Sequence, residues 1–206
     1  MSRFGRRSAP NQAAGRRGAP AGRTVDCMPR SERYHEGGGI YHVGARGVRR
    51  TRIYRDHHDY ESFERLFEWV CGDLGWKCLA YVLMPNHYHG LVELTEPNLS
   101  EGMHRLNFRH ATRFNRRHDL TGHVFERRFY SDDVEDERHL FEAARYIVLN
   151  PVRARLCAHP GLWRWSSYAP TAERRRSGLV SVERFRSFFG TDPAVYAAYV
   201  AEAMPS

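Results

Sequence analysis

Apolar residues recur along this chain with two different periods, and the switches between them mark out the elements. Ile40-Tyr41-His42-Val43, bounded by Gly37-Gly38-Gly39 and Gly44, predicts a first strand at about 40–47. Asp56 is placed to cap a helix that runs to about Leu74. Its apolar stripe is Tyr60, Phe63, Phe67, Val70 and Leu74, and Gly75 closes it. A nearly unbroken apolar run from Trp76 to Met84 follows, then the turn signal Pro85-Asn86 and a second apolar run to Leu94, which together predict a β-hairpin. Continuous apolarity over Cys78–Leu83 implies a strand covered on both faces. A second helix is expected from about Ser100 to His118, with Leu99, Met103, Leu106, His110 and Phe114 on one side. Gly122 introduces a fourth strand over His123-Val124-Phe125-Glu126-Arg127-Arg128-Phe129-Tyr130. Asp136 caps a third helix that runs to Asn150 and is stopped by Pro151, with Leu140, Ala144 and Ile147 buried. Two short amphipathic stretches, Val182–Phe189 and Pro193–Met204, come last, and Glu173-Arg174-Arg175-Arg176 falls in a loop.

Composition narrows the class. A chain of 206 residues suits one domain with appendages and is long enough for a proper core. No stretch approaches the roughly 20 apolar residues of a membrane span. Cys27, Cys71, Cys78 and Cys157 make no C-x-x-C pair and no hydrophobic leader precedes them, so a reduced, cytoplasmic protein is expected. The net charge is +8; six arginines against Asp26 give residues 1–27 a charge of +5, which leaves +3 for the rest. That Gly/Ala/Pro/Arg-rich tail cannot bury enough apolar surface to order itself and is expected to be disordered, either a phosphate-binding tail or a stretch ahead of a start at Met28. Lys77 is the single lysine among 32 basic residues. Guanidinium forks suit phosphate, so nucleic acid leads as partner class, with no membrane role.

Chemistry enters with the hairpin. His87 and His89 are two apart on a strand and share a face, where they could hold a divalent metal if a third ligand arrives; two histidines with ordinary hydrogen bonds is the equal alternative. On the third helix His139, Glu142, Tyr146 and Asn150 form a polar stripe, with Tyr146 and Asn150 one turn, about 6 Å, apart. If that helix packs beside the third strand, Asn150 could add an oxygen to the metal and Tyr146 would stand next to it. Such a set suits attack of a phenolic oxygen on a phosphodiester, and its mixed N/O donors suit Mg²⁺ or Mn²⁺ better than structural zinc. An unperturbed phenol has a pKa of ~10, so a cation or base must assist. Tyr88 points away from both histidines; Tyr130, near a strand end, is a rival without a ligand-type companion. On the second helix Arg105, Arg109, Arg113, Arg116 and Arg117 face solvent against Glu101 alone, read either as a solvated face or as a phosphate-tracking surface.

Three separated motifs, Tyr81-Val82-Leu83-Met84-Pro85-Asn86-His87-Tyr88-His89, Arg128-Phe129 and Arg145-Tyr146-Ile147-Val148-Leu149-Asn150-Pro151-Val152-Arg153-Ala154, resemble the single-tyrosine HUH transposases. The closest group is the REP-associated tyrosine transposases. The resemblance runs from about Met28 to Tyr168 and takes in Tyr41-His42-Val43 and Trp163-Arg164-Trp165-Ser166-Ser167-Tyr168. It implies an α+β fold, a ferredoxin-like central antiparallel sheet with helices packed on it. The organisation would be a tail at 1–27, the transposase domain at 28–155 and a helical extension at 156–206. It implies His87, His89 and Asn150 as ligands of Mg²⁺ or Mn²⁺ and Tyr146 as nucleophile. The reaction implied is cleavage of single-stranded DNA beside a hairpin formed by palindromic repeats, through a 5′-phosphotyrosine, followed by rejoining. The chain departs from the pattern at Tyr88, where an aliphatic residue is usual, and in its amide third ligand.

Arg128, with Arg127 beside it, would contact phosphate or form a structural salt bridge; Arg109 and Arg113 are further DNA contacts. Two alternatives stand beside the transposase. One is a domesticated protein that binds DNA hairpins without moving them, and the other is a metal hydrolase unrelated to DNA. Monomer and homodimer are both compatible.

Overall fold

The computed structural model describes residues 37–205 except 174. The disordered-tail expectation for 1–27 lies outside them. Strands β1 (Ile40–Arg46), β2 (Lys77–Met84), β3 (His87–Glu93) and β4 (Tyr130–Asp133) form an antiparallel sheet in the order β2-β3-β1-β4. With α1 (His57–Leu74) between β1 and β2 and α2 (Leu99–His118) between β3 and β4, the element order is that of a ferredoxin-like split βαβ. Helix α3 (Glu137–Arg153) follows, then α4 (Tyr168–Ala172), α5 (Val182–Phe189) and α6 (Pro193–Ala201).

Alternation along the strands sorts two cores. Val43, Tyr81, Leu83 and Tyr88 point into one with Phe63 and Phe67 of α1 and Met103 and Leu106 of α2. Leu79, Val82, Met84 and Leu91 point into the other with Ala144, Ile147 and Val148 of α3, joined by Phe185 and Tyr196. Every residue of Cys78–Met84 is buried, as the apolar run predicts. Helix α1 begins and ends where its caps require. The Asp56 side chain accepts from the Asp59 amide at 3.1 Å, and Gly75 takes the left-handed conformation at φ 71°.

Three expectations are corrected. The fourth strand starts at Tyr130, not His123. Before it the chain crosses the end of β1, with Val48 N–H donating to the Val124 carbonyl, Glu126 N–H to the Arg46 carbonyl and the Asn107 amide to the Arg128 carbonyl. Those bonds divert the segment until Tyr130 pairs with Gly44. Pro151 does not stop α3, which continues to Arg153. Proline removes the amide that would bond Ile147; the Asn150 side chain reaches that carbonyl at 3.5 Å and the Tyr146 carbonyl at 2.9 Å, so the break is bridged. The arginines of α2 are also not opposed by Glu101 alone. Arg105 pairs with both Glu101 and Asp73, and Arg117 with Asp56 and Asp59 at 2.7 and 2.6 Å.

The segment carrying Trp163–Tyr168 covers the free edge of β2. Leu83 N–H donates to the Trp165 carbonyl at 2.8 Å and Ser167 N–H to the Tyr81 carbonyl at 2.9 Å, which removes an open edge. Among the described residues no helix is long and apolar enough to cross a membrane.

His110 lies buried beneath α2 with Nε2 on the Ile53 carbonyl at 2.8 Å, and burial holds its pKa down to about 4. Its ordinary value is 6.5, so between these values the unfolded chain binds the extra proton and stability drops as the pH is lowered. The loss from this one group is about 3 kcal/mol between pH 7 and pH 4. In urea unfolding at both pH values, His110→Gln should show a correspondingly flatter acid-side loss; parallel losses would contradict this assignment.

Candidate active site

The register of the sheet assembles the site. His89 on β3 lies opposite Gly44 on β1, and Gly44 lies opposite Tyr130 on β4, so all three belong to one cross-sheet row on the α3 side. His42 is two residues from Gly44 and shares its face. Its Nε2 lies 3.0 Å from His89 Nδ1. A side chain on residue 44 would meet the Tyr88 backbone carbonyl oxygen first and then Tyr130, whose ring carbon Cε1 and hydroxyl would both lie 2.7 Å from a Cβ. That glycine lets the Tyr130 hydroxyl reach across β1 to His89 Nδ1, with His42 Nε2 3.3 Å away. Gly44→Ala should therefore cost about 1–3 kcal/mol by overpacking. The part of that cost due to Tyr130 should disappear in a Tyr130→Ala background while the clash with the Tyr88 carbonyl remains, read as partly non-additive shifts in unfolding midpoint; fully additive losses would contradict the Tyr130 contact.

From the other layer α3 brings Tyr146 and Asn150 onto the same side. The Tyr146 ring centre is 5.5 Å from that of His89 and 6.0 Å from that of His42, edge-on to both. Its ring is 40% exposed, with the Arg153 guanidinium 5.3 Å from its centre. The Asn150 side chain comes close enough to His87 to favour its charged form, and His87 Nδ1 meets the Asn86 amide oxygen at 2.7 Å. A cavity of about 280 Å³ opens beside the pair, lined by Arg46, His87, His89, Arg127 and Tyr130 among others.

Burial sets the electrostatics. Burial first, with the Arg46 charge contributing at His87 and the neighbouring His42, His87 and Arg46 at His89, brings His42 and His87 down to about 4 and His89 to about 2. All three rings are neutral at pH 7, the form that donates a lone pair to a metal. Burial drives the Tyr130 phenol up, which keeps it protonated. Asn86 meets Nδ1 of His87, while His42 and Tyr130 meet Nδ1 of His89. Such contacts on the second ring nitrogen typically orient metal-binding imidazoles.

Among the described residues no group of three or more His, Cys, Asp or Glu side chains is placed to hold a metal ion. His42 turns its nitrogen toward His89 and does not complete such a group. The available set is two neutral imidazoles and one amide, a mixed N/O set that fits a divalent ion able to accept nitrogen as well as oxygen and that keeps positions open for substrate oxygens.

His87, His89, Tyr146 and Asn150, singled out in the sequence, thus converge. Arg127 lines the adjoining cavity, whereas Arg128 is exposed outside that lining and its carbonyl is held by Asn107. Arg109 and Arg113 lie on α2, on the opposite side of the sheet. Tyr88 is fully buried on that opposite face, donating to Asn107 at 2.7 Å. Sequence reasoning gave no role to His42, Gly44 or Arg46, and Tyr130 lies closer than its rank as a rival implied. The available signal was strand alternation, which puts Ile40, His42 and Gly44 on one face.

A family model described as "Transposase IS200 like" matches residues 38–150. The solved structure of a REP-associated tyrosine transposase bound to a REP hairpin superposes with a TM-score of 0.60 at 20% identity, covering 75% of this chain and 90% of that one. No curated relative matches.

Proposed function

The chain belongs to the IS200-like transposase family, and from that premise we propose that it cleaves and rejoins single-stranded DNA beside a hairpin, with Tyr146 as nucleophile. The observation that carries this reading is the placement of Tyr146, half-exposed and edge-on to His89 at 5.5 Å, on the face that holds the histidine pair. The hairpin bound by the similar structure supports the substrate class.

The Tyr146 oxygen attacks the scissile phosphorus, giving up its proton as the bond to the 3′ oxygen breaks and that oxygen takes one. The DNA 5′ end remains on Tyr146 as a phosphotyrosine, and attack by another 3′-OH reverses the exchange. No ATP is needed, because one phosphodiester is exchanged for another. Arg46 and Arg127, in the cavity beside the histidines, are placed to hold phosphate oxygens by charge-assisted bonds. His87, His89 and Asn150 would hold Mg²⁺ or Mn²⁺, which when bound polarises the phosphodiester and stabilises charge building on its oxygens. Tyr130 is the weaker nucleophile candidate: its hydroxyl is occupied by His89 and burial disfavours its ionisation. The short reach from Tyr146 to its own chain's histidines supports a site completed in cis.

The test is a hairpin oligonucleotide with a single-stranded flank, incubated with Mg²⁺ or Mn²⁺ and resolved on a denaturing gel. A covalent protein–DNA band is expected. Hairpin binding with no adduct under either metal would favour the non-cleaving alternative and sink this one.

A further inference from the structure

The side of the molecule remote from Tyr146 carries a second arrangement that the cleavage reaction does not use. Helices α1 and α2 pack antiparallel, in a register set by Arg105 on Asp73, Arg109 over Trp69, and Arg117 on Asp56 and Asp59. Carboxylates thus neutralise arginine at both ends of the helix pair. The middle is different. There Arg109, Arg113 and Arg116 meet Arg65 of α1 around a groove of about 520 Å³ whose lining contains no acidic residue. Glu61, Glu64 and Glu68 of α1 line a separate cleft instead, although Glu61 also lies 4.0 Å from Arg65. Two large aromatic side chains stand in the same basic groove, Trp69 at 40% and Phe108 at 62% exposure. Scattered surface aromatics are ordinary, but here they interleave with guanidinium groups, and Arg109 lies 4.4 Å from the Trp69 ring centre.

We propose that this groove binds single-stranded DNA, with Trp69 and Phe108 stacking unpaired bases and Arg109, Arg113 and Arg116 holding the intervening phosphates. Every base has a face that an indole or phenyl ring can stack on, whereas a duplex keeps its bases stacked on one another, so the groove selects single strands without selecting sequence. Its charge complements a phosphate chain, and Arg109, over the Trp69 ring, orients the indole by a cation–π contact. The inference rests on the DNA-cleaving reading above and extends it. With the sheet between the groove and the histidines, the chain would grip its strand at two places, one that cuts and one that only holds.

The test measures binding of a fluorescein-labelled oligothymidylate, and of a duplex of equal length, to the full chain in EDTA. Trp69→Leu and Phe108→Leu should each weaken oligothymidylate binding about tenfold while leaving the duplex unchanged. Both side chains are exposed, so the folds should survive, which circular dichroism checks. Quenching of tryptophan emission by oligothymidylate should diminish in Trp69→Leu. Arg113→Gln with Arg116→Gln should lower affinity and flatten its salt dependence. Wild-type affinity in both aromatic variants, or equal losses for oligothymidylate and duplex, would overturn the groove proposal. Adduct formation on the hairpin oligonucleotide is scored separately. Tenfold-weaker binding in the variants, with no adduct even in the wild type, would sink the cleavage reading and sustain the groove.

Discussion

Tyr146→Phe is expected to lower covalent adduct formation by at least about 10³-fold while hairpin binding persists. The change removes one oxygen and keeps the ring. The edge-on contacts to His89 at 5.5 Å and His42 at 6.0 Å, and the Arg153 contact, need only the ring. Loss of reaction without loss of binding would therefore assign the chemistry to that oxygen. Tyr130→Phe should behave differently. It removes a hydroxyl that steadies His89, so the adduct should form more slowly and still form. Denaturing-gel yields for the two variants side by side distinguish nucleophile from positioning residue; equal abolition would contradict the assignment.

The second large effect is expected at His87. This imidazole is held by Asn86 and faces a cavity, so His87→Ala should leave both cores intact. Metal affinity should fall by more than the roughly 10–100-fold that losing an outer-shell partner of a ligand costs, read calorimetrically with Mn²⁺ in the absence of DNA. Adduct yield should fall about 10²–10³-fold, as when other transition-state stabilising contacts are removed. Removing the divalent ion with EDTA from the wild type should stop cleavage and spare hairpin binding. Unchanged Mn²⁺ affinity in the variant would exclude His87 as a ligand.

What the sequence disclosed was mostly local. Asp56 and Gly75 mark the ends of α1, the apolar run of β2 announces a strand buried on both faces, and Leu99, Met103, Leu106, His110 and Phe114 lie buried where their spacing put them. His87, His89, Tyr146 and Asn150 could be paired because two lie on one strand and two on one helix turn. What escaped depended on partners far along the chain. His42 and Tyr130 reach His89 only because β1 falls between β3 and β4 and Gly44 leaves room for a ring. The end arginines of α2 find their acids on α1 and at its cap, so a charge count along one helix overstated its free positive charge. Pro151 reads as a stop until the Asn150 side chain supplies the missing donor. Trp163–Tyr168 carries a motif whose structural part, covering the edge of β2, shows only once the sheet is assembled.

The most direct test of the central claim is to digest the purified protein–DNA adduct with trypsin and locate the nucleotide by mass spectrometry. Cleavage after Arg145 and Arg153 releases Tyr146 in residues 146–153, and cleavage after Arg128 and Arg138 releases Tyr130 in residues 129–138. A nucleotide-bearing phosphate on the first peptide is the predicted result. The same mass on the second peptide, or on neither, would contradict it.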